Sequence, residues 1–275
     1  MNEDRVDVEA YFRRIGYSGP REPTLETLRA IHLHHPQAIA FENLDPFLRR
    51  PVMLDIASLE DKLVRSGRGG WCFEHNLLFA AVLRALGFSV TGLAARVVWN
   101  VPEGSVRPRG HMLLKVDIDG KPWLADVGFG GLTLTAPLRL EGSIEQRTPH
   151  EPFRLMGADR EHVLQARLRQ EWKTLYRFDL QPQHRVDYEV ANWFLATHPA
   201  SPFLNGLMAA RASEDRRLTL ADRRFSTHAS SGETEQRELT SIAELRAVLE
   251  DVFAIRVPAG REVDARFRQL YGKDL

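Results

Sequence analysis

The sequence predicts an α+β protein, helical in its first third, antiparallel β in the middle and mixed at the end. Three observations carry this reading. Residues 1–86 hold apolar residues at helical spacing between capping and breaking residues. Residues 87–197 change to valine-rich, weakly alternating runs around an Asp119-Gly120 pair. Residues 198–275 mix short strand-like runs with one capped helix.

In chain order, Thr24–Leu33 carries apolar residues at Leu25, Leu28, Ile31 and Leu33, and Pro36 is expected to close that helix. Ser58 followed by Asp61 resembles a capping box for a helix ending near Gly67. A third helix is expected from Trp71 to Leu86, stopped by Gly87. Ser89–Trp99, His111–Ile118 and Pro122–Val127 read as strands, the last two joined at Asp119-Gly120, a strong hairpin signal. His162–Leu168 and Trp172–Leu180 form a second pair, followed by a short helix around Val186–Leu195. Leu218–Leu220 and Arg223–Thr227 fit short strands, and 227–236 reads as a polar exposed loop. Ser241 with Glu244 is a capping box opening a helix whose apolar face is Leu245, Val248, Leu249, Val252 and Phe253.

At 275 residues the chain is long enough for a substantial core in one large domain or a few small ones. Basic and acidic residues balance at 37 each, so no net field favours nucleic acid or an anionic membrane. The N-terminus, charged from Glu3-Asp4-Arg5 onward, lacks a secretory pattern, and no apolar run is long enough to span a bilayer. One cysteine excludes an intramolecular disulfide, and a reduced, cytoplasmic protein is expected.

That cysteine, Cys72, follows a glycine turn in RGRGGWCFEHN and opens a predicted helix, where unsatisfied N–H groups favour a thiolate. Gly69 and Gly70 permit a tight turn and close approach of another chain or a ligand to the sulfur. On position alone Cys72 fits a buried structural thiol equally well. The hairpin selects a partner. With Asp119-Gly120 at its centre, Leu113 faces Asp126 and His111 faces Gly128. His111 and Asp126 then share a face as diagonal neighbours, roughly 7 to 8 Å apart at the backbone. A carboxylate so placed fixes an imidazole tautomer and stabilises its charged form. A slip of one residue would put the two on opposite faces. Each residue taken singly fits a solvated strand end or turn.

RGGWCFEHN, RGHMLLKV and LADVGFGG, in this order, together with AFENLD upstream and THPASPF downstream, resemble the arylamine N-acetyltransferases. The resemblance implies an N-terminal helical bundle (1–86) carrying the nucleophile, an antiparallel β-barrel (87–197) carrying the histidine and aspartate, and a C-terminal α/β lid (198–275), on a core similar to papain-like cysteine enzymes. It implies catalytic roles for Cys72, His111 and Asp126, and an acceptor pocket lined by Phe41, Phe73 and Phe129. Gly128, Gly130 and Gly131 match the loop near the acetyl donor, and Phe203 matches a contact to the pantetheine arm. The implied co-substrate is acetyl-CoA, with no permanently bound cofactor. The implied acceptor is a small aromatic amine or hydrazine, and the implied state a monomer or homodimer. Three residues depart from the family pattern: Ala40 stands for a frequent proline, His75 for the usual glutamine and Gly110 for a frequent threonine.

The resemblance implies a two-step exchange through an acetyl-cysteine. Related readings keep the triad and change the acyl group, as in amide synthases or enzymes of longer acyl donors, or use an amide donor, as in proteases and transglutaminases. A binding module with a degenerate site is disfavoured by the presence of all three residues. His32, His34 and His35 cluster without an acidic or cysteine partner at ligand spacing, so no metal site is expected.

Overall fold

Helix starts follow local chemistry. The computed structural model describes residues 5–102, 104–157 and 161–272, so Glu3 and Asp4 of the charged N-terminus lie outside the described residues. Helix α1 (Val8–Ile15) begins where the Asp7 carboxylate accepts from the Ala10 N–H, and α2 (Leu25–Ala38) where the Thr24 hydroxyl accepts from Thr27. Pro36 lies inside α2 rather than beyond it. Its missing N–H falls in the final turn, which buried His35 and Pro36 pack down and the Ile39 N–H closes on the His35 carbonyl. A two-residue strand, β1 (Phe41–Glu42), and short α3 (Leu44–Phe47) follow. The expected cap at Ser58 is one turn early in the structure: Asp55 takes the Ser58 N–H at 2.9 Å and starts α4 (Ile56–Leu59), which runs on as a π-wound turn to Arg65. Helix α5 (Cys72–Ala85) is buried on nearly all sides, as its apolar composition requires.

The middle of the chain forms an eight-stranded antiparallel sheet from β2 (Ser89–Val97), β3 (His111–Ile118), β4 (Lys121–Ala125), β5 (Leu138–Arg139), β6 (Glu145–Gln146), β7 (Phe153–Met156), β8 (His162–Leu168) and β9 (Glu171–Phe178). Their order across the sheet is β5-β4-β3-β2-β9-β8-β7-β6. The sheet curls until its two edges meet. The Gln146 side chain clips them together, accepting from the Arg139 N–H at 2.7 Å and donating to the Arg139 carbonyl at 2.9 Å. The β3–β4 register, Ile118↔Lys121 through Leu114↔Ala125, is the one centred on Asp119-Gly120, and both turn residues have positive φ (50° and 71°). Along β3, Leu113 joins the barrel interior, whereas Met112, Leu114 and Val116 join the core beneath α1, α2 and α5.

Helices α6 (Arg185–Thr197) and α7 (Pro202–Asn205) lead to a second antiparallel sheet, ordered β1-β10-β11-β12-β13, with β10 (Met208–Ala212), β11 (Arg216–Ala221), β12 (Arg224–Ala229) and β13 (Thr234–Glu238). The polar stretch expected as a loop is thus a hairpin of β12 and β13. Its outer strand is exposed at every residue and reads as polar because it is a sheet edge. Helices α8 (Ile242–Ala247) and α9 (Arg261–Arg268) cover this sheet. Ser241 caps α8, and Glu244 returns a bond to the Thr240 N–H. Strand β1 pairs with β10 in this sheet and, through a bridge from Phe41 to Gly70, ties the chain just before Cys72 to the C-terminal part. No helix among the described residues is long and apolar enough to cross a membrane.

Candidate active site

Cys72 is the first residue of α5, His111 the first of β3, and Asp126 the residue after β4. They converge because α5 lies against β3 while the hairpin register turns His111 and Asp126 to the same side. A Cβ on Gly128 would sit 2.8 Å from the Cys72 Cα, so only glycine lets the chain after Asp126 pass so close to the start of α5. Exposure falls from 7% at Cys72 to 3% at His111 and 0% at Asp126. The sulfur lies 3.7 Å from the Gly110 carbonyl oxygen.

His111 Nε2 lies 2.7 Å from Asp126 Oδ2, which leaves Nδ1 as the ring atom available to the sulfur. Burial opposes charge on the imidazole, but the Asp126 carboxylate, by its charge and its hydrogen bond, and the adjacent Cys72 outweigh it and push the pKa up to about 10. Burial likewise works against the Asp126 anion, yet His111, Asn76 and the Gly128 N–H hold its carboxyl below the usual range. Every oxygen is occupied. Oδ1 accepts from Asn76 Nδ2 and the Gly128 N–H, both at 3.0 Å, and Oδ2 accepts from His111 and, at 3.0 Å, from the Tyr176 hydroxyl. Burial and the neighbouring carboxylate drive the Tyr176 phenol well above its ordinary pKa, so it stays a donor.

Sequence reasoning passed over Asn76 and Tyr176. Asn76 follows Cys72 by one helical turn on the same face of α5, a spacing that could have flagged it. Tyr176 has no local signal, since β9 reaches Asp126 only through barrel curvature.

The aromatic residues line up beside these groups. Phe129 meets His111 edge-on, with ring centroids 5.2 Å apart. Phe41 is bridged to Gly70, two residues before the cysteine, and its ring lies 6.5 Å from Phe203, which in turn meets Trp71 edge-on at 5.1 Å. Phe41, Phe129 and Phe203 are partly exposed. Phe73 is 1% exposed and packs between Trp71 and Tyr188, at 6.2 and 5.9 Å. Gly130 has φ +87° and lies against the Phe41 ring, and Gly131 lies against Thr219 of β11.

A sequence profile of the N-acetyltransferase family matches residues 24–262. The arylamine N-acetyltransferase of Escherichia coli K12 is 44% identical over 248 residues, covering 90% of this chain and 88% of the relative. The solved structure of the arylamine N-acetyltransferase of M. tuberculosis superposes with a TM-score of 0.92 at 44% identity, covering 95% of this chain and 99% of that one. The Mycobacterium marinum enzyme in complex with CoA gives the same TM-score at 43% identity, covering 96% and 99%. This chain belongs to the arylamine N-acetyltransferase family. It is an enzyme of the acyltransferase class, and the α+β architecture expected from the sequence is the one those structures share.

In this N-acetyltransferase two of the three departures, His75 and Gly110, have structural explanations. His75 faces away from the sulfur, hydrogen-bonding His35 Nε2 at 2.8 Å and the Ala40 carbonyl at 3.2 Å. Burial lowers its pKa to about 4, so it stands neutral between two buried elements. A side chain on Gly110 would meet Leu195 of α6 at 3.3 Å; that leucine fills the room a threonine would need. Gly69 and Gly70 serve chain approach, but not at the sulfur as expected: a Cβ on Gly69 would overlap the Ala40 carbonyl at 2.0 Å, and one on Gly70 would meet the Glu74 carboxylate at 2.6 Å.

The entry to α5 is anchored by buried charge. Glu74 accepts from the Trp71 N–H at 3.0 Å and from Lys62 at 2.7 Å; Lys62 also pairs with Asp45 at 2.5 Å, and Arg68 joins Asp45 to Glu42. Burial disfavours the Lys62 ammonium, but Glu74, Glu42 and Asp45 outweigh it and keep it ionised. The histidine cluster is engaged elsewhere: His35 bonds the Tyr11 hydroxyl at 2.7 Å, and His34 the Ile15 carbonyl at 3.1 Å.

Proposed function

We propose that this enzyme carries an acetyl group from acetyl-CoA to an arylamine or arylhydrazine through an acetyl-Cys72 intermediate, with Cys72, His111 and Asp126 as its catalytic triad. The observation that carries the reading is one imidazole bonded to a fully satisfied carboxylate on one side and set against the only sulfur nucleophile on the other. The similar M. marinum structure, solved with CoA, supports the choice of donor.

Cys72 starts as the thiolate with His111 protonated. Its sulfur attacks the thioester carbonyl, and the first free N–H groups of α5, that of Cys72 among them, face the developing oxyanion. The bond to CoA sulfur breaks, and CoA leaves as the thiol with the proton His111 held. The amine nitrogen then attacks the acetyl-cysteine and passes its proton to the now neutral imidazole. The carbon–sulfur bond to Cys72 breaks, restoring the ion pair and releasing the amide. Asp126 keeps the imidazole oriented and charged between the steps.

Phe41, Phe129 and Phe203 offer partly exposed aromatic faces to a flat acceptor and to the pantetheine arm, with Phe73 packed behind them. Gly128, Gly130 and Gly131 hold the main chain close to the donor. Location in the cytoplasm, where acetyl-CoA and a reduced thiol coexist, belongs to the same reading. Cys72→Ala should abolish CoA release from acetyl-CoA and an aniline while leaving a folded protein; turnover retained in that variant would overturn the reading.

A further inference from the structure

The strand that brings Asp126 to His111 must leave its sheet to do so. The β3–β4 ladder ends at Leu114↔Ala125, and the next backbone N–H groups lose their strand partners. Side chains take up four in succession. The Asp126 N–H donates to His32 Nε2 at 3.1 Å, Val127 to Asn76 Oδ1 at 3.2 Å, Gly128 to Asp126 Oδ1 at 3.0 Å and Phe129 to Thr133 Oγ1 at 3.3 Å. Asn76 comes from α5 and Thr133 from the following loop. His32 alone comes from α2, 94 residues away in sequence, and it grips the aspartate itself.

We infer that His32 is a positioning residue for the acetyl-transfer reaction, holding the Asp126 main chain so that its carboxylate meets His111. Its chemistry fits no simpler role. To accept from the Asp126 N–H, Nε2 must be unprotonated, so neutral His32 carries its hydrogen on Nδ1. That Nδ1 is buried and meets no hydrogen-bond partner among the described residues. The ring is 0% exposed and packs edge-on against Phe79 at 5.7 Å. A phenylalanine would fill this apolar contact without burying an orphan donor, so packing alone disfavours histidine here. What histidine adds is the Nε2 acceptor.

Leu28, Ile31 and the other core residues of α2 and α5 hold helices together; His32 instead fixes one main-chain atom of the proposed triad. Loss of that acceptor leaves the Asp126 N–H without a partner, and the chain relaxes toward water or another acceptor. A shift on the order of 1 Å in a catalytic group is enough to cost about 10²-fold in rate.

The inference rests on the triad reading, and the test separates the two. Acetylation of Cys72 in the parent protein by acetyl-CoA tests that reading alone. The downfield NMR resonance of the His111 imidazole proton shared with Asp126 needs no substrate and reports the placement of Asp126. His32→Phe and His32→Gln are compared with the parent, since the glutamine amide oxygen can reach the place of Nε2. The expected result is that His32→Phe stays folded, loses about 10²-fold in kcat with little change in the KM for acetyl-CoA, and shifts or broadens that resonance. His32→Gln should recover the resonance and most of kcat. Parent-like kcat and resonance in folded His32→Phe would overturn the inference. So would equal impairment of the two variants. If His32→Phe does not fold, the glutamine variant decides: parent-like kcat and resonance support the acceptor role, and a tenfold or greater loss in a folded protein overturns it.

Discussion

At the scale of the residue, one carboxylate governs the site. Asp126 is fully buried, and its charge survives because four donors meet its two oxygens. Asp126→Asn keeps the shape but removes the anion that holds His111 charged and orients its ring. By analogy with the aspartate of serine protease triads, kcat should fall by roughly 10⁴-fold in a protein of near-normal fold, and steady-state kinetics with circular dichroism check both. Tyr176→Phe removes only one neutral donor and should cost less, about 1.5–3 kcal/mol in activation free energy or stability. An equal loss in the two variants would mean that the tyrosine, not the charge, dominates. His111 and Asp126 were legible in the sequence because a two-residue turn fixes strand register, and register decides which side chains share a face. Tyr176 and His32 were not, since they lie 50 and 94 residues from Asp126 and arrive through barrel closure and helix packing.

At the scale of the element, the start of α5 combines two demands that conflict with stability. It holds Cys72, the proposed nucleophile, at a helix N-terminus, and it buries Glu74 and Lys62 to anchor that terminus. Removing one partner of a buried pair strands the other, so Glu74→Ala should destabilise the protein by about 3 kcal/mol, measured by urea denaturation. A loss under 1 kcal/mol would show that Asp45 alone satisfies Lys62. The same terminus tolerates no side chain at Gly128, whose substitution by alanine should lower both Tm and kcat, because a Cβ there sits 2.8 Å from the Cys72 Cα. Helices α2, α5, α6 and α8 and the barrel strands β2, β3, β4, β8 and β9 were readable from period and capping, whereas α1 and the short strands β5, β6 and β7 were not. The edge hairpin β12–β13 was not, because a strand with no buried face carries no apolar alternation.

At the scale of the whole molecule, three histidines set the acid limit. Burial lowers His32 and His75 to about 4, and lowers His35 well below its ordinary value, with His75 and His32 adding to the effect. In the unfolded chain each binds a proton near pH 6.5. Between about pH 6.5 and 4 the unfolded state therefore holds more protons, and stability falls as pH falls, by about 1.4 kcal/mol per pH unit for each histidine. His111 behaves oppositely: its raised pKa contributes stability that is complete below about 6.5 and is lost as pH rises toward 10. Burial raises Glu74 to about 7, which opposes this by about one proton in the same range. Urea midpoints at pH 7, 6 and 5 should therefore decline with a net slope of about two protons, and His75→Gln should reduce it by about one. A pH-independent midpoint over that range would contradict the neutral, buried state of these rings.

The chemistry itself is tested most directly by intact-protein mass spectrometry after acetyl-CoA is added without an amine. The account requires a gain of one acetyl group, mapped by peptide analysis to Cys72, discharged when an aniline is supplied, and absent from Cys72→Ala. An unmodified protein that still turns over when both substrates are present would contradict it, as would acetyl transfer surviving the loss of the sulfur.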